Sequence, residues 1–474
     1  MRKTKIIATI GPATRPPEML ARLIEAGCNI VRINMSHSTQ EEAAGIIADL
    51  RMISDRVAIL IDTKGPEVRT TAVEAPVTLA TGDVVEVRGE PGPTTAACIR
   101  VSFAGFHRAM EEGARVLLAD GQIELEVTAV HGDALRCQVN KGGILGSCKG
   151  VNVPGVRLPM PFMSEQDISD VRFAVRHQVD FIAASFVTEA DDIEQIRALV
   201  RAEGGDIGLI AKVESRSAVK NLAEIVAVAD GVMVARGDLG VEIPAEEVPV
   251  VQRRIIGACR AAGRPVIVAT EMLESMISNP RPTRAETSDV ANAIFDGTDA
   301  VMLSGETSVG RYAIEAVETM GRIARIAESE ANKQDGVMPG GAHPRDVTEL
   351  VCRGAWLAAK DLNVAAIVVP TSSGRTARRM SRFRPRAPIL ATTPDMATTR
   401  RLQLSYGVFS LPTRHYGRME NMIRRSCQLM VENGMLGMDD LIAVVCGVPV
   451  GRSGTTNLLT LQSVRDLALS RDRD

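Results

Sequence analysis

Aromatic residues are scarce in this chain of 474 residues: they make up 3% of it, and Trp356 is the single tryptophan. This scarcity excludes a surface that stacks nucleic-acid bases and a tyrosine-rich recognition surface. An excess of one charge is lacking as well, because 55 Lys and Arg oppose 58 Asp and Glu for a formal net charge of −3. A globally basic nucleic-acid-binding protein is therefore excluded, and no nucleic-acid partner is expected.

Three further absences narrow the class of protein. No run approaches the roughly 20 apolar residues of a membrane-spanning helix, and the N-terminal segment turns polar too early for a signal peptide. The eight cysteines have no CxxC spacing, and the six histidines form no HExxH pair, so zinc and redox motifs are missing. We therefore expect a cytoplasmic protein with reduced thiols and no membrane partner.

Eight short apolar runs alternate with amphipathic segments in two separated stretches of the chain. They begin at Lys5, Asn29, Val57, Asp180, Gly208, Gly231, Pro265 and Ala300. Such alternation is typical of parallel strands joined by right-handed crossovers, and eight strands close a (β/α)8 barrel of about 250 residues. The sequence therefore predicts an α/β protein built on a TIM barrel.

Two other units interrupt or follow this pattern. From about Thr71 to Val156 the apolar residues alternate with period two between Gly and Asp turns, which predicts a small all-β lid domain inserted into a barrel loop. After the Gly- and Pro-rich segment 335–346, an amphipathic helix from Val347 and the strands AAIVVP, APILATT and LIAVVCG predict an open α/β domain. The predicted domains are a barrel (1–70 and 157–340), a lid (71–156) and a C-terminal regulatory domain (341–474).

Polar residues follow the predicted barrel strands, at the face where the active sites of such barrels lie. They are Arg32, Asn34, Ser36, His37, Asp62, Thr63, Lys64, Ser185, Lys212, Glu214, Arg236, Asp238, Thr270 and Glu306. Taken singly, many of them also suit helix caps, which favour Ser, Thr, Asp and Asn. Capping does not explain a lysine beside two carboxylates, so Lys212, Glu214 and Asp238 predict a functional cluster.

The chemistry of this cluster follows from its residue types. Lys212 and Glu214 are two residues apart, so their side chains share one face of a strand. Two carboxylates, Glu214 and Asp238, suit Mg²⁺, which takes few protein ligands and keeps water. Lys212 would supply positive charge to an anionic transition state, and the amides of Gly237 and Asp238 open a helix that could hold a carboxylate or phosphate.

Two more clusters offer binding groups. Asn34, Ser36, Asp62 and Thr63 present oxygen ligands with a single formal negative charge, which suits a monovalent cation, and polar loop packing is the alternative explanation. The segment TSSGRTARR, residues 371–379, places hydroxyl groups and glycine before a helix. It is either a phosphate-binding turn or an ordinary capped helix.

Longer motifs resemble the pyruvate kinase family across the whole chain. They are RINMSHS, IDTKGPEVRT, KGVNVPGVRLP, DFIAASFV, MVARGDLGVEIP and ATEMLESMISNPRPTRAETSDVANAIFDGTDAVMLSGET. The resemblance implies a barrel, an inserted lid and a C-terminal α/β regulatory domain, the same layout that periodicity predicts. It also implies a homotetramer that transfers a phosphoryl group from phosphoenolpyruvate to ADP in glycolysis, giving pyruvate and ATP, with Mg²⁺ (or Mn²⁺) and K⁺ as cofactors.

The resemblance also implies a role for individual residues. The catalytic residues would be Lys212, Arg32 and Thr270, and the substrate-binding residues Arg32, Lys212, Gly237, Asp238, Thr270 and Ser185. The nucleotide-binding residues would be Asn34, His37, Arg69 and Lys149. The metal ligands would be Glu214 and Asp238 for Mg²⁺, and Asn34, Ser36, Asp62 and Thr63 for K⁺. A sugar-phosphate effector would bind Thr371, Ser372, Ser373, Gly374 and Thr376.

Some positions refine this expectation. Glu67 resembles the glutamate of K⁺-dependent family members, so we expect dependence on K⁺. Glu271 stands where the family commonly has Gln or Asn, which adds negative charge beside Thr270. Thr188 and Glu189 replace a pair that is usually basic.

Two other functions stay open from the residues alone. A barrel lyase or aldolase acting on pyruvate enolates also uses Mg²⁺ held by Glu and Asp, and an inactive sensor could bind phosphorylated metabolites. An aldolase has no use for a nucleotide site, so Lys212 and the lid with Arg69 and Lys149 favour a phosphotransferase. Against the sensor, no residue expected at the reacting centre is missing.

Overall fold

The computed structural model describes residues 1–331, 346–450 and 455–469. The domain boundary predicted between residues 340 and 341 lies outside the described residues, as does most of the predicted linker. The chain begins with three strands and two helices of a barrel. These are β1 (Lys5–Thr9), α1 (Pro17–Glu25), β2 (Ile30–Asn34), α2 (Gln40–Ile53) and β3 (Ala58–Asp62).

A separate all-β unit, here called the lid, follows β3. Its strands are β4 (Val77–Leu79), β5 (Val84–Arg88), β6 (Cys98–Arg100), β7 (Arg115–Leu118), β8 (Ile123–His131), β9 (Ala134–Lys141), β10 (Gly143–Leu145) and β11 (Val151–Asn152), with a 3-10 helix at Phe106–Ala109. They form a β10–β4 pair and a six-stranded sheet in the order β11-β7-β8-β9-β5-β6. Alternate side chains, such as Leu125 and Val127, pack into a core of the lid's own, which explains the period-two pattern.

The chain then returns to the barrel. The strands are β12 (Phe181–Ala184), β13 (Gly208–Val213), β14 (Gly231–Ala235), β15 (Val266–Ala269) and β16 (Ala300–Leu303). The helices are α3 (Glu165–Arg176), α4 (Ala190–Ala202), α5 (Arg216–Lys220), α6 (Leu222–Val228), α7 (Arg236–Glu242), α8 (Val248–Ala262), α9 (Arg284–Asp296), α10 (Gly305–Ser308) and α11 (Ala313–Ala331), with 3-10 turns at Ala245–Glu247 and Glu274–Ile277.

The eight strands close into a parallel barrel in the order β1-β16-β15-β14-β13-β12-β3-β2. They coincide with the eight predicted apolar runs, which confirms the predicted TIM barrel. Buried aliphatic side chains such as Ile7, Leu60 and Ile210 fill its interior. Thr39, Ser164 and Thr283 open α2, α3 and α9 with capping boxes, which fix where these helices begin.

The C-terminal domain is an open α/β sheet, as predicted. Its elements are α12 (Val347–Asp361), β17 (Ala366–Pro370), α13 (Arg375–Ser381), β18 (Ile389–Thr393), α14 (Met396–Arg401), a 3-10 turn (Leu402–Leu404), β19 (Val408–Pro412), α15 (Met419–Glu432), β20 (Leu441–Gly447), β21 (Thr456–Ser463) and α16 (Val464–Leu469). The strand order is β19-β18-β17-β20-β21, and only β21 is antiparallel to its neighbour. The sequence predicted α12, β17, β18 and β20 but not β19 or β21.

The C-terminal domain covers the N-terminal end of the barrel. Leu404 packs into the core inside the barrel, and the Lys5 ammonium donates a hydrogen bond to the carbonyl of Val408. The opposite, C-terminal end of the strands is thereby left for the functional side chains. None of the described helices is long and apolar enough to cross a bilayer.

Candidate active site

Lys212 lies at the centre of the polar cluster at the C-terminal end of the barrel. Its Nζ is 2.7 Å from Ser185 Oγ, 2.7 Å from Glu214 Oε1 and 3.2 Å from Asp62 Oδ1. Burial lowers the pKa of the Lys212 ammonium, but Asp62 and Glu214 outweigh burial and raise it overall. Lys212 is therefore a fixed, buried positive charge held by groups from three neighbouring strands.

Arg32 and Asp62 form the second buried ion pair of this cluster. Arg32 Nε donates to Asp62 Oδ2 at 2.7 Å, and its Nη1 donates to the hydroxyl of Thr9 at 3.1 Å. Burial opposes ionisation of Asp62, but Arg32 and Lys212 together lower its pKa. Asp62 thus stays charged and aligns two cations, Arg32 and Lys212, at one edge of the barrel mouth.

Glu214 and Asp238 have the chemistry of a divalent-metal site. Burial is the main cause that raises the pKa of Glu214, and the charge of Asp238 adds to it. Burial also raises the pKa of Asp238, with further contributions from Asp62 and Asp120. Lys212 only partly offsets these negative charges, so the pair retains negative charge that a divalent cation would neutralise.

The ligand chemistry and the orientation of Glu214 agree with such a site, although no group of three or more His, Cys, Asp or Glu side chains in the described parts of the chain is arranged to hold a metal ion. A set of two carboxylates matches Mg²⁺, which takes its remaining ligands from water and substrate oxygens. The second Glu214 oxygen accepts a 2.7 Å hydrogen bond from the backbone N–H of Phe186, which fixes the carboxylate's orientation.

Thr270 is held in a strained conformation beside the start of α7. Its φ of 68° is in the left-handed region, which a β-branched residue rarely adopts. Its hydroxyl accepts a 2.9 Å hydrogen bond from the N–H of Gly237 and donates to the carbonyl of Ala269 at 2.6 Å. Helix α7 begins at Arg236, so the amides of Gly237 and Asp238 belong to its first turn, and that of Gly237 is taken up by Thr270; their anion-binding role stays a prediction.

Arg236 holds the strained backbone of Thr270 in place. Its guanidinium donates to the carbonyl of Thr270 at 2.6 Å and pairs with Asp289 at 2.6 Å. Glu306, also singled out in the sequence, is buried and accepts the N–H groups of Leu273 and Ser304, at 2.9 and 2.7 Å. We therefore assign Arg236 and Glu306 to positioning the loop after β15 and not to ligand contact.

The four residues of the predicted monovalent-cation site lie on adjacent strand ends. Asn34 and Asp62 face each other across the β2–β3 pair. Asn34 Oδ1 accepts the N–H of Ser36 at 3.2 Å, and the carbonyl of Thr63 accepts the Ser185 hydroxyl at 2.7 Å. Asp62 is already engaged by Arg32, Lys212 and Ser185, so the K⁺ site stays a prediction.

Arg69 and Lys149 lie where the lid joins the barrel. Arg69 pairs with Glu67 at 2.7 Å and donates to the carbonyl of Cys148 at 3.0 Å. The backbone N–H of Lys149 donates to Thr70 Oγ1, and its side chain is exposed, as is that of His37. None of these three side chains contacts Lys212 within the described chain, and none lines the cavity between the barrel and the lid.

A cavity of about 170 Å³ connects the barrel mouth to the lid. Glu214 and Asp238 line it from the barrel, and Asp120 and Glu67 line it from the lid side. Its location above the two carboxylates provides room for substrate between the two domains.

Two family models match the chain. The model for the pyruvate kinase barrel domain matches residues 1–317, and that for the pyruvate kinase alpha/beta domain matches residues 349–462. The chain belongs to the pyruvate kinase family. A protein named pyruvate kinase from Geobacillus stearothermophilus is 45% identical over 475 residues, which cover 98% of this chain and 81% of the relative. A protein from Clostridium acetobutylicum, also named pyruvate kinase, is 42% identical over 472 residues, which cover 98% of this chain and 100% of the relative.

The positions at which this chain departs from the usual pyruvate kinase pattern have structural partners of their own. Thr188 donates its N–H and hydroxyl to Asp192, at 2.7 and 3.0 Å, and Glu189 pairs with Arg157 at 2.8 Å. Glu271 is exposed, with φ at 52°. None of the three displaces Lys212 or Glu214 from the arrangement described above.

The predicted effector residues surround a second cavity, of about 80 Å³, in the C-terminal domain. Four of them line it, namely Thr371, Ser372, Ser373 and Thr376. Gly374 does not line it, but its N–H donates to Thr371 Oγ1 at 3.0 Å and its φ of 72° turns the chain into α13. Gly447, Val450, Thr455 and Thr456 from a later segment also line it, and residues 451–454 lie outside the described chain.

Sequence reasoning missed several parts of the site. Thr9 and the backbone N–H of Phe186 are polar partners of Arg32 and Glu214. Asp120 reaches the cavity from a turn of the lid, where it has a φ of 57°. Of these, only Thr9 could have been found from the sequence, because it ends a barrel strand like the polar residues that the sequence analysis selected.

Proposed function

We propose that this chain transfers the phosphoryl group of phosphoenolpyruvate to ADP and forms pyruvate and ATP. The observation that carries the proposal is the buried Lys212 ammonium, which lies between Ser185, Asp62 and Glu214 at the mouth of the barrel. Electrostatic stabilisation of the transferring group is the main catalytic requirement of phosphoryl transfer. A fixed cation beside two carboxylates and below a lid cleft meets that requirement.

Each group then has a task in this reaction. Lys212 stabilises the charge on the transferring phosphoryl group, and Arg32 binds the phosphate, supported by Ser185 and Asp62. Glu214 and Asp238 would hold Mg²⁺ or Mn²⁺, which neutralises charge on the phosphoryl oxygens when bound.

Other groups bind the carboxylate of the substrate and the phosphates of the nucleotide. The amides of Gly237 and Asp238 and the Thr270 hydroxyl bind the carboxylate of phosphoenolpyruvate, and Thr270 directs a proton toward the enolpyruvate. Asn34, His37, Arg69 and Lys149 bind the phosphates of ADP at the rim of the lid.

A coupled assay for pyruvate formation tests this function. Pyruvate should appear only when phosphoenolpyruvate, ADP and a divalent cation are all present, with K⁺ in the buffer. Pyruvate formation without ADP would favour a lyase or aldolase. Binding of phosphoenolpyruvate without turnover would favour a phosphometabolite sensor.

We predict that turnover depends on K⁺. Asn34, Ser36, Asp62 and Thr63 supply oxygen ligands with one formal negative charge, and Glu67 resembles the glutamate of K⁺-dependent family members. Replacing K⁺ by tetramethylammonium at equal ionic strength should lower kcat by at least about ten-fold, which a loss of about 1.4 kcal/mol in transition-state stabilisation would produce. Equal turnover in the two salts would contradict the proposed cation site.

We also predict that a sugar phosphate regulates the enzyme through the segment Thr371–Gly374, here called the effector loop. Its hydroxyl groups and the start of α13 are chemically suited to a phosphate group. Ser372→Glu places a carboxylate in this cavity and should abolish activation by a panel of sugar phosphates, while basal turnover stays within about two-fold, since the loop lies in another domain. Unchanged activation in this variant would overturn the assignment.

The homotetramer and the cytoplasmic location implied by the family stay predictions. All eight cysteines are free, and burial raises the pKa of several of them, to about 11 for Cys28. Free, protonated thiols support a reducing compartment.

A further inference from the structure

A cluster of five arginines lies where the N-terminal end of the barrel meets the C-terminal domain, far from the lid. Its members line one small cavity and are Arg260, Arg264, Arg378, Arg382 and Arg384, here called the arginine cluster. The cavity has about 10 Å³ of enclosed room and continues into open solvent. The enclosed part holds about one water-sized group, so it admits one oxygen of an oxyanion whose other atoms lie at the open mouth of the cavity.

The carboxylates near the arginine cluster do not balance its charge. Asp299 is the only described carboxylate that lines the cavity. Its Oδ2 accepts from Arg384 at 2.9 Å and from the N–H of Val266 at 3.1 Å, and its Oδ1 accepts the N–H of Tyr406 at 3.1 Å. Asp299 is thus already engaged by Arg384 and two backbone donors.

The other arginines share two more distant carboxylates. Arg382 pairs with Glu349 at 3.2 Å. Arg264 is 3.9 Å from Asp230, which already pairs with Arg197 at 3.1 Å. Within the described residues, Arg260 and Arg378 make no ion pair, so the cluster keeps an excess of positive charge.

Several donors of the cluster are also buried without an acceptor. They are Arg260 Nε, Arg382 Nε, Arg384 Nε and Nη1, and Ser405 Oγ. Buried polar groups are almost always hydrogen-bonded in folded proteins, so five such atoms around one cavity indicate a missing acceptor. Burial lowers the pKa of Arg378 to about 10, and burial followed by the charge of Arg384 lowers that of Arg260, in keeping with uncompensated charge.

We propose that the arginine cluster binds an oxyanion, either inorganic phosphate or the phosphoryl group of a phosphate ester, between the barrel and the C-terminal domain. Planar guanidinium groups match the oxygens of a phosphate through paired hydrogen bonds. The bound anion joins Arg260, at the end of α8, to Arg382 and Arg384 of the other domain. It thereby stabilises the contact between the two domains.

This site is separate from the effector loop but adjoins the same helix. Thr376, in the first turn of α13, lines the effector cavity, and Arg378, two residues further along the helix, lines the arginine cluster. Arg378 Nη2 donates to the carbonyl of Ser373 at 3.0 Å. Occupancy of the cluster therefore bears directly on the position of the effector loop.

Thermal unfolding of the full chain tests the proposal. Potassium phosphate is titrated against KCl at matched ionic strength, in a buffer free of other oxyanions. Phosphate should raise the unfolding temperature by about 2–4 °C above the KCl series, because a ligand of the folded state stabilises it. An equal effect of the two salts would mean that the cluster takes halide or no specific anion, and would overturn the proposal.

Arg260→Met distinguishes an anion site from a structural role. Loss of one repelling charge should raise the unfolding temperature in phosphate-free buffer and abolish the response to phosphate. The matched control is Arg253→Met on the same helix, since Arg253 is 74% exposed and pairs with Asp296 at 2.8 Å. It should respond to phosphate like the unaltered chain. An Arg260→Met variant that is less stable yet still responds would show a structural role only.

Two further variants cover the remaining outcomes. Arg260→Lys keeps the positive charge but loses the planar guanidinium with its paired donors. About ten-fold more phosphate should therefore be needed for half of the rise in unfolding temperature. An unchanged titration in Arg260→Lys would count against the site.

Ser372→Glu blocks the effector loop and should leave the phosphate response intact. Loss of the response in this variant would show that phosphate binds at the effector loop and would overturn the proposal. Phosphate bound at the catalytic site would leave the response of Arg260→Met intact, which also refutes the proposal.

Discussion

Replacing Lys212 by methionine is expected to lower kcat for pyruvate formation by about 10³-fold, while phosphoenolpyruvate still binds. Removal of one preorganised group that stabilises developing charge typically costs about 10²–10³-fold in kcat, and a cation on a transferring phosphoryl group reaches about 10³–10⁵-fold. Lys212 has the geometry for the larger effect, because it is buried and oriented by Ser185, Asp62 and Glu214 at distances of 2.7–3.2 Å.

The same substitution also has a cost in stability. Methionine keeps most of the aliphatic stem but leaves Asp62 and Glu214 without their shared cation. Breaking a buried ion pair by removing one partner destabilises a protein by about 3–5 kcal/mol. We therefore expect a lower unfolding temperature, and turnover must be measured well below it, with the folded fraction checked by circular dichroism.

A matched control separates charge loss at the site from a general effect of the substitution. Lys220 is exposed on α5, in the same strand–helix unit as Lys212, so Lys220→Met should leave kcat and the unfolding temperature unchanged. Calorimetry with phosphoenolpyruvate then measures binding directly. Turnover of Lys212→Met within ten-fold of the unaltered chain would refute the assigned role, and an equal loss of binding and turnover would show a role in affinity alone.

The barrel could be predicted from the sequence because its strands are buried on both faces. A parallel strand covered on both faces reads as a nearly continuous apolar run, and the barrel strands were of this kind, interrupted by Arg32 in β2 and Lys212 in β13. The strand β21 is an edge strand in which half-buried and polar positions mix, from Thr456 to Ser463, and it carries no such run. The strand β19 ends in Pro412 and alternates Phe409 with Ser410, so its pattern was too short to separate from a loop.

The sequence predicted which residues converge at the site, but it did not predict how their side chains pair. Parallel strands place their carboxyl ends on one face, so Arg32, Asp62 and Lys212 had to meet there. That Asp62 bridges both cations depends on side-chain rotamers and on contacts across 150 residues of sequence. The φ of 68° at Thr270 comes from the loop after β15, which Arg236 holds in place, and no local pattern encodes it.

Glu214→Gln is expected to raise the Mg²⁺ concentration for half-maximal activity by at least about ten-fold and to lower kcat at saturation. Loss of an outer partner of a metal site already costs about 10–100-fold in affinity or activity, and Glu214 is proposed as a direct ligand. The amide can still accept the N–H of Phe186, which donates to Glu214 at 2.7 Å, so the backbone should stay in position.

A second carboxylate of the same cavity provides the control for this variant. Glu242 lines the cleft with Glu214 and Asp238, and burial raises its pKa, but it makes no contact with Lys212. Glu242→Gln should therefore keep its Mg²⁺ dependence, whereas Glu214→Gln should also bind Mn²⁺ more weakly in a direct titration followed by electron paramagnetic resonance. Equal shifts in both variants would mean that the cleft attracts the cation only through its overall charge. A shift confined to Glu214→Gln would show that the carboxylate beside Lys212 binds the metal.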